Sequence, residues 1–550
     1  MNQDVRHVGC RARRHGTPGA SVQDRINYDE VKGKSGFYMP LTSDIQDPKS
    51  APHRLADADY VFYELTRSIC PVCRRTIDAH IVIRNNKVYM RKRCAEHGPF
   101  EALVYGDAEL YMSSARFNKP GTIPLEFSTG IVAGCPHDCG LCPDHQQHAC
   151  LGIIEVNSAC DMACPLCFAE AGPGFNLTLE EVEDILDHLM ATEGDPQVVQ
   201  FSGGEPSIHP QIIPMLRAAQ RRGIPNVMLN TNGKRIAHDD RFLAELAEVR
   251  PNIYFQFDGF DAETYRIIRG EPDILPEKLR ALDRLAAIGC TVILVPAVER
   301  GVNEHEIGKI VRFGLDHPAV KGINFQPAFH AGRHGRHDPM QRMTNPDILK
   351  LIEAQTDGLF RRSDFIPVPC CFPTCNSVTY AYIDEQRNIT PLPRIIKVED
   401  YLDYITNRAM PDLGAEMRRA LEGLWSSSAV LGSEKVAREF AFSCSGCGLP
   451  DGSLDVGAIS NFIFMIMLQD FMDPWTFNQK NLMKCCKEFL LPGGKQVPFC
   501  AYNTVGYREQ AREQLIAQEP ARRAARRDGI PYEVQPVTFS FNREPLVAIK

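Results

Sequence analysis

The middle of the chain alternates between short apolar stretches and helical patterns, and this alternation restricts the fold more than any other feature. Six stretches are typical of β-strands, namely LGIIEVNSA, QVVQFSGGEP, NVMLNTNG, NIYFQFDG, TVILVPAV and VKGINFQPAF, the first starting at Leu151. Between them, apolar residues recur at helical spacing, as at Leu179, Val182, Ile185 and Leu189. Successive β-α units predict an α/β fold with a parallel sheet and outer helices. Six units rather than eight predict a partial (β/α)6 TIM-like barrel, with a doubly wound sheet as the alternative.

Polar motifs follow four of these strands. Three cysteines follow the first strand, SGGEP ends the second, NTNG ends the third, and an aspartate ends the fourth. Functional residues of parallel α/β folds lie at the carboxyl ends of the strands. We therefore expect one site on one rim, with these candidates: Cys160, Cys164, Cys167, Gly203, Gly204, Glu205, Asn230, Asn232 and Asp258.

The three cysteines have the spacing C-x3-C-x2-C. A [4Fe–4S] cluster is commonly held by four thiolates, so a cluster on Cys160, Cys164 and Cys167 leaves one iron open to a ligand from outside the protein. The alternative is a structural zinc site whose fourth ligand lies elsewhere. Zinc motifs more often use paired C-x2-C units, so the spacing favours the cluster.

The placement of the 20 cysteines predicts metal sites on both sides of the β-α region. Ten lie between Cys70 and Cys167 and eight between Cys370 and Cys500, with only Cys290 in the interval. The N-terminus lacks the apolar segment of a secretory signal, and no apolar run is long enough to span a membrane. We expect a cytoplasmic, metal-binding protein rather than a disulfide framework. The net charge of −8 gives no electrostatic case for nucleic-acid binding.

The first cysteine group consists of Cys70, Cys73, Cys94 and His97. It surrounds AHIVIRNNKVYMRK, which predicts a hairpin with Asn-Asn at its turn. Two pairs of ligands around a hairpin are typical of a zinc ribbon or a rubredoxin-like site, with zinc and iron both open.

The second group has the spacing C-x3-C-x2-C-x7-C, formed by Cys135, Cys139, Cys142 and Cys150. Four thiolates predict a fully ligated auxiliary [4Fe–4S] cluster, with zinc as the alternative. A third group lies nearer the C-terminus. Adjacent cysteines rarely ligate one metal, so we expect a second auxiliary cluster on Cys371 (or Cys370), Cys375, Cys486 (or Cys485) and Cys500, with Cys444 and Cys447 as a rival pair.

Three further segments allow more than one interpretation. HAGRHGRHDP places His330, His334 and His337 after the sixth strand, and a solvated loop is favoured there over a metal site. EPARRAARRDG predicts a helix with a solvated basic face, with anionic lipid contact as the alternative. The apolar run Ile459–Met472 is favoured as core over a substrate channel.

The C-x3-C-x2-C motif after strand one, with GGEP after strand two, resembles the radical SAM superfamily. The resemblance implies that S-adenosylmethionine (SAM) chelates the open iron and is cleaved to a 5′-deoxyadenosyl radical. It also implies that Gly203, Gly204 and Glu205 bind the methionine ammonium group, and that Asn230, Asn232 and Asp258 lie nearer its carboxylate or ribose. Leu166 departs from the aromatic residue often found before the last cysteine.

The full order of motifs, from CPVC to PFCAYN, resembles the tetraether lipid synthase family, whose archaeal relatives have also been described as pterin methyltransferases. The resemblance covers about residues 60–503. It implies carbon–carbon coupling of lipid alkyl chains, with methylation of a pterin or similar heteroaromatic as the alternative. A non-catalytic zinc scaffold is disfavoured by the open cysteine triplet beside SGGEP. The implied partners are a lipid substrate, peripheral contact with a membrane, and a small electron-donor protein of the flavodoxin or ferredoxin type.

These patterns divide the chain into six expected segments: a disordered leader (1–58), a zinc-ribbon or rubredoxin-like domain (59–125), an auxiliary-cluster segment (126–150), the radical SAM partial barrel (151–340), a second auxiliary-cluster region (341–505) and a helical tail (506–550).

Overall fold

The computed structural model of the protein describes residues 58–335, 337–369, 371–384, 386–394 and 463–541. The expected leader up to residue 57 lies outside these residues, as do Cys370, Cys444 and Cys447. The described residues from Ala58 onward form one compact unit. Among the helices that the structure describes, none combines the length and apolar character needed to cross a bilayer.

A small antiparallel sheet opens the described part of the chain. Its strands pair in sequence order, and they are β1 (Val61–Ile69), β2 (Thr76–Arg84), β3 (Lys87–Cys94) and β4 (Gly98–Tyr105). Asn85 and Asn86 join β2 to β3 with φ of 51° and 54°. Both residues occupy the left-handed region that a two-residue hairpin turn requires, so the predicted Asn-Asn turn is confirmed.

The second sheet carries the predicted parallel strands. Its strands are β5 (Leu151–Asn157), β6 (Val198–Gly203), β7 (Asn226–Thr231), β8 (Asn252–Gln256), β9 (Val292–Val295), β10 (Ala297–Val298), β11 (Val320–Pro327), β12 (Ile366–Pro367), β13 (Asn376–Ile383), β14 (Ile389–Pro391), β15 (Ile463–Gln469), β16 (Lys487–Leu490) and β17 (Gln496–Pro498). Its main path runs β12-β13-β15-β11-β9-β8-β7-β6-β5-β16-β17. The six predicted strands are therefore adjacent, and they pair in parallel. Pro296 divides the predicted fifth strand into β9 and β10, because proline cannot donate to the ladder.

Two strands from the C-terminal part of the chain extend this parallel set. β15 pairs in parallel with β11 at one end, and β16 pairs in parallel with β5 at the other. The expected boundary at residue 340, between the barrel and the C-terminal region, therefore divides strands that belong to the same sheet.

Helices cover the outer face of the sheet between successive strands. The described α-helices are α1 (Ala108–Ser114), α2 (Leu179–Glu193), α3 (Ile212–Arg221), α4 (Lys234–His238), α5 (Asp240–Val249), α6 (Ala262–Ile268), α7 (Leu275–Ala287), α8 (Ile307–Asp316), α9 (Asn345–Gln355), α10 (Gln479–Leu482), α11 (Phe499–Thr504) and α12 (Tyr507–Asp528). α2 begins with a capping box between Thr178 and Glu181 and buries Val182, Ile185 and Leu189 against the sheet. The alternation of strand and helix confirms the predicted α/β fold.

The structure tests two expectations about the C-terminal part. The described part of the apolar run contains strand β15, in which Phe464, Ile466 and Leu468 are buried in the core, as predicted, while Met465 and Met467 line a cavity. The basic segment is the end of α12, but its face is not wholly solvated. Arg522 is fully buried, and its guanidinium donates to the carboxylate of Glu181 at 2.7–3.0 Å.

Candidate active site

The three cysteines of the triplet lie together at the carboxyl end of β5. Cys164 is buried in a small cluster with Met162, Tyr265 and Ile274, and Cys160 and Cys167 pack against it. Burial raises the pKa of Cys160 to about 12 and also raises the pKa of Cys164. Cys160 and Cys164 therefore need a bound cation to be thiolates at neutral pH, which suits a site for a metal or an iron–sulfur cluster.

The SGGEP turn supports the cysteine loop through backbone contacts. The amide of Gly204 donates to the carbonyl of Asn157 at 2.9 Å, and the amide of Glu205 donates to the carbonyl of Ala159 at 2.8 Å. A Cβ on Gly204 would lie 2.1 Å from the oxygen of Ala159, and a Cβ on Gly203 would lie 2.3 Å from the oxygen of Asn157. Only glycine lets the two loops approach this closely.

The carboxylate of Glu205 is used inside the protein. It is 2% exposed and accepts hydrogen bonds from the Thr231 hydroxyl at 2.7 Å, the Asn232 amide at 2.7 Å and the Ser207 amide at 3.1 Å. Burial nevertheless raises its pKa. The side chain therefore ties the second rim turn to the third.

Asp258 is likewise directed into the protein. It is fully buried, and its carboxylate forms a two-pronged pair with Arg269 at 2.6 and 2.7 Å. Arg269 also interacts electrostatically with Cys164 and lines the cavity described next. Asn232 donates through Nδ2 to Asp161 at 2.6 Å, within the cysteine loop, and Asn230 lines the cavity.

The parallel strands enclose a cavity of about 270 Å³ that begins beside the cysteine loop. Leu166 and Phe168 of that loop line it, and so do Cys486 and Lys487 at the start of β16. Most of its wall is apolar, including Ile153, Val198, Met228, Ile293, Met465, Met467, Phe471 and Phe499. Water in such a cavity has few polar partners, so the interior suits a substrate with a large apolar surface.

A smaller set of polar side chains also faces this cavity: Gln200, Ser202, Asn230, Tyr254, Gln256, Asn324, Gln326 and Gln469. Several of them bond to one another. Asn324 Nδ2 donates to the Tyr254 hydroxyl at 2.5 Å and to Gln469 Oε1 at 3.0 Å, and Gln326 Nε2 donates to the same hydroxyl at 2.7 Å. Asn324 Oδ1 is buried without a hydrogen-bond partner, so the set has acceptor capacity left for a polar ligand.

The predicted ribbon ligands converge beside the small sheet. One ligand atom from each of Cys70, Cys73, Cys94 and His97 lies within 4.8 Å of the others. Burial would raise the pKa of Cys94, but hydrogen bonds from His97 and from the backbone lower it to about 6. Three cysteine sulfurs and one imidazole nitrogen thus supply the four ligands of a tetrahedral metal site.

The remaining cysteines group differently from the sequence expectation. Cys135, Cys139 and Cys142 lie together around a small cavity, and the hydroxyl of Tyr507 accepts the amide hydrogen of Cys139 at 2.9 Å. Cys150 lies elsewhere, in a buried cluster with Cys371 and Cys486 against which Cys375 packs.

Strand register explains this grouping. Leu151 pairs with Lys487 across β5 and β16, and the amide of Leu151 donates to the carbonyl of Cys486 at 3.0 Å, so Cys150 and Cys486 lie side by side. Cys500, expected as the fourth member, is buried in the main core, and its sulfur accepts the amide hydrogen of Met472 at 3.4 Å. Strand β5, roughly 20 Å long, separates this group from the triplet.

Comparison with known proteins agrees with this arrangement. Residues 154–314 match the model of the radical SAM superfamily, and residues 62–106 match the HMPTM N-terminal zinc ribbon domain. The chain is 32% identical over 485 residues to the 7,8-dihydro-6-hydroxymethylpterin dimethyltransferase of Methanocaldococcus jannaschii, covering 82% of this chain and 95% of that protein.

More distant relatives cover a smaller share of the chain. The GTP 3′,8-cyclase of Chlorobaculum tepidum is 34% identical over 179 residues, which is 32% of this chain and 53% of that protein. Streptococcus suis SuiB, in a crystal structure bound to its precursor peptide SuiA, has a TM-score of 0.33 and 17% identity over 39% of this chain and 47% of SuiB.

Proposed function

The chain belongs to the radical SAM superfamily, and within it to the family of the Methanocaldococcus pterin dimethyltransferase, and we propose that it forms a carbon–carbon bond on a substrate held in the barrel cavity. When bound, SAM and its [4Fe–4S] cluster supply a 5′-deoxyadenosyl radical, which abstracts a hydrogen atom from carbon. This reagent suits a C–H bond that has no acidic or basic handle.

The residues at the rim would hold that cofactor pair. Cys160, Cys164 and Cys167 would ligate the cluster, and the backbone at Gly203–Glu205 would receive the methionine ammonium group. Arg269, held by Asp258, would keep a positive charge beside Cys164 and so favour its thiolate. The apolar wall of the cavity would exclude water from a reactive carbon centre.

For the substrate, we propose methyl transfer to a pterin-like heteroaromatic. The observation that carries this proposal is the polar set around Tyr254, whose amides offer donors and acceptors in one region of an otherwise apolar cavity. A flat heterocycle with an amide-like edge needs that combination. The 32% identity to a pterin dimethyltransferase over most of both chains supports the same substrate class.

A second candidate is the coupling of lipid alkyl chains. It is favoured by the apolar wall formed by Met465, Met467, Phe471 and Phe499, which offers methyl and aromatic contacts to a saturated chain. Such a substrate would bring the protein to a membrane surface by peripheral docking.

The other cysteine groups support auxiliary metal centres. Cys150, Cys371, Cys375 and Cys486 lie together, and Cys486 lines the cavity. These four sulfurs would suit a fully ligated [4Fe–4S] cluster, which would supply electron transfer to or from the substrate. Cys135, Cys139 and Cys142 would hold another, and the ribbon site would hold zinc or iron. A small flavodoxin- or ferredoxin-type protein would supply the electrons.

The deciding experiment uses the full chain with its clusters reconstituted without oxygen. SAM, a reduced flavodoxin or ferredoxin as electron source, and a methylene donor are added with 7,8-dihydro-6-hydroxymethylpterin, or with lipids whose terminal methyl groups carry deuterium. Gain of a methyl group by the pterin supports the first candidate, and deuterium in 5′-deoxyadenosine together with joined chains supports the second. Cys160→Ala is the inactive control, and if it forms as much 5′-deoxyadenosine as the unsubstituted chain, the radical SAM reaction itself is excluded.

A further inference from the structure

Three histidines on the loop after β11 form a buried cluster that the proposed reaction does not use. The sequence favoured a solvated loop here. Gly332, Arg333 and Gly335 are exposed, but the side chains of His334 and His337 are each only 5% exposed. One ring nitrogen from each of His330, His334 and His337 lies within 4.8 Å of the others.

Each of these imidazoles has a buried nitrogen without a hydrogen-bond partner. The atoms are Nδ1 of His330, Nδ1 of His334 and Nε2 of His337. A buried polar atom left without a partner costs about 1–3 kcal/mol, so three of them in one place require an occupant. A single cation that accepts all three lone pairs would remove the whole cost.

One carboxylate orients a lone pair of this cluster, and a second adds negative charge beside it. Glu299 lies 3.1 Å from Nε2 of His334, so this nitrogen carries the proton and Nδ1 of the same ring is left bare. Asp473 is fully buried, and its Oδ1 accepts hydrogen bonds from the Trp475 amide and from the amide and hydroxyl of Thr476 at 2.9–3.0 Å. Its Oδ2 therefore faces the histidines, 3.4 Å from Nε2 of His337. A histidine fixed by a carboxylate on its far nitrogen is a common support for a metal ligand.

We propose that His330, His334 and His337 bind a divalent transition-metal ion, for which Zn²⁺ is the best match. Three imidazoles are a typical ligand set for zinc, and the buried carboxylate of Asp473, 3.4 Å from Nε2 of His337, places negative charge beside them. Arg74 and Arg342 oppose the added positive charge, and Asp473 and Glu299 offset them.

The position of the loop gives this ion a consequence for the cavity. The amide of Arg333 donates to the carbonyl of Cys167 at 3.0 Å, and a Cβ on Gly332 would lie 2.3 Å from the same oxygen. Phe329 and His334 line the cavity. The ion therefore braces the loop that closes against the cysteine triplet, whatever substrate the enzyme uses.

The test measures zinc in the full-length, cluster-loaded protein after dialysis against Zn²⁺. A Cys73→Ser background removes the ribbon site, so that zinc K-edge absorption reports only the remaining ion. We expect one zinc per chain with a nitrogen and oxygen shell at about 2.0–2.1 Å and no sulfur shell near 2.3 Å. His337→Gln should lose this ion, whereas His238→Gln, on an exposed histidine, should keep it.

Two results would overturn the proposal. One is a Cys73→Ser protein that binds no zinc with nitrogen and oxygen ligands. The other is a folded His337→Gln protein that retains the ion with the same absorption spectrum. If His337→Gln fails to fold, the measurement on Cys73→Ser with intact histidines decides alone.

Discussion

The guanidinium of Arg269 faces the carboxylate of Asp258 edge to edge, with Nε 2.6 Å from Oδ2 and Nη2 2.7 Å from Oδ1. The amide of Ala297 also donates to Asp258 Oδ1, at 3.0 Å, so this oxygen is held from two sides. Asp258 is therefore a positioning residue. It fixes Arg269 beneath Cys164 and does not itself face the cavity.

Asp258→Asn should destabilise the protein and weaken the reaction. The change leaves the guanidinium of Arg269 buried without its counter-charge, which costs about 3–5 kcal/mol. We expect a clear fall in the thermal midpoint and slower 5′-deoxyadenosine formation. Asp261→Asn is the matched control, because that side chain is about half exposed and pairs only with His305 at the surface. Equal midpoints for the two variants would contradict the role given to Asp258.

Gly204→Ala should displace the cysteine loop. The new Cβ would overlap the carbonyl oxygen of Ala159, so the backbone carrying Cys160 must move. A shift of about 1 Å at a reactive centre costs on the order of 100-fold in rate. We expect that loss in 5′-deoxyadenosine formation, with iron content measured in parallel. Gly130→Ala is the control, since nothing lies within 4 Å of its Cβ. Unchanged activity in Gly204→Ala would show that the close contact is dispensable.

Cys150→Ser and Cys486→Ser should remove the same cluster. Each single variant should lose about four irons per chain, and the double variant should lose no more than either single variant. Combining Cys150→Ser with Cys139→Ser should lose two clusters instead. Iron and sulfide analysis with Mössbauer spectra measures this, and Cys290→Ser, a buried cysteine outside all groups, is the control. If Cys150→Ser and Cys139→Ser prove non-additive, the sequence grouping was right and the contact grouping is not the ligand set.

The free energy of unfolding should fall as the pH drops from about 6.5 to about 4, because His209 is buried in its neutral form. His209 is fully buried, its Nε2–H donates to the carbonyl of Leu177 at 3.0 Å, and Nδ1 accepts the Gln211 amide at 3.1 Å. Burial lowers its folded pKa to about 4, against about 6.5 unfolded. Between these values only the unfolded chain binds the proton, so the contribution is complete above pH 6.5 and is lost toward pH 4.

The loss should reach about 3 kcal/mol at pH 4. Thermal midpoints from pH 7.5 to pH 4.5 measure it in the unsubstituted protein, in His209→Gln and in His238→Gln. His209→Gln should flatten the pH dependence, and His238→Gln should leave it unchanged because that ring is exposed. A pH profile that is the same for all three proteins would rule out His209 as its source.

Arg522→Ala should lower the free energy of unfolding far more than the neighbouring substitution Arg523→Ala. Arg522 donates to the carboxylate of Glu181 and to the carbonyl of Leu515, all without solvent exposure. Removing it leaves a buried carboxylate unpaired, at about 3–5 kcal/mol. Arg523→Ala, with a side chain 72% exposed, should change stability by less than about 0.5 kcal/mol. Similar thermal midpoints would mean that the Glu181 pair contributes little.

Local features of the sequence were sufficient to predict the parallel strands, the hairpin turn and the ribbon ligands. Apolar periodicity and the Asn-Asn turn act over a few residues, and Cys70, Cys73, Cys94 and His97 are joined by a single hairpin. The location of the motif residues at one rim could be predicted from the parallel direction of the strands alone.

The rest depends on contacts between distant segments. The neighbour of Cys150 is set by the register of β16, more than three hundred residues away along the chain, and no local pattern encodes that register. Arg269 lies in a helix end without any motif, and it becomes a site residue only because Asp258 orients it. Gln200 and Ser202 could have been found, because two polar residues spaced by two in an apolar strand point to the same interior.

The pairing of β15 with β11 and of β16 with β5 also sets the order of assembly. A ribosome delivers the six central strands first, and both outer strands of that set keep exposed, unpaired backbone until residues 463–490 emerge. Cys150 likewise cannot contact Cys486 until that part of the chain has been synthesised. Insertion of the cluster proposed on Cys150 and Cys486 would therefore follow synthesis of the C-terminal strands, and a chain stalled before them would have a sheet prone to pairing with other chains.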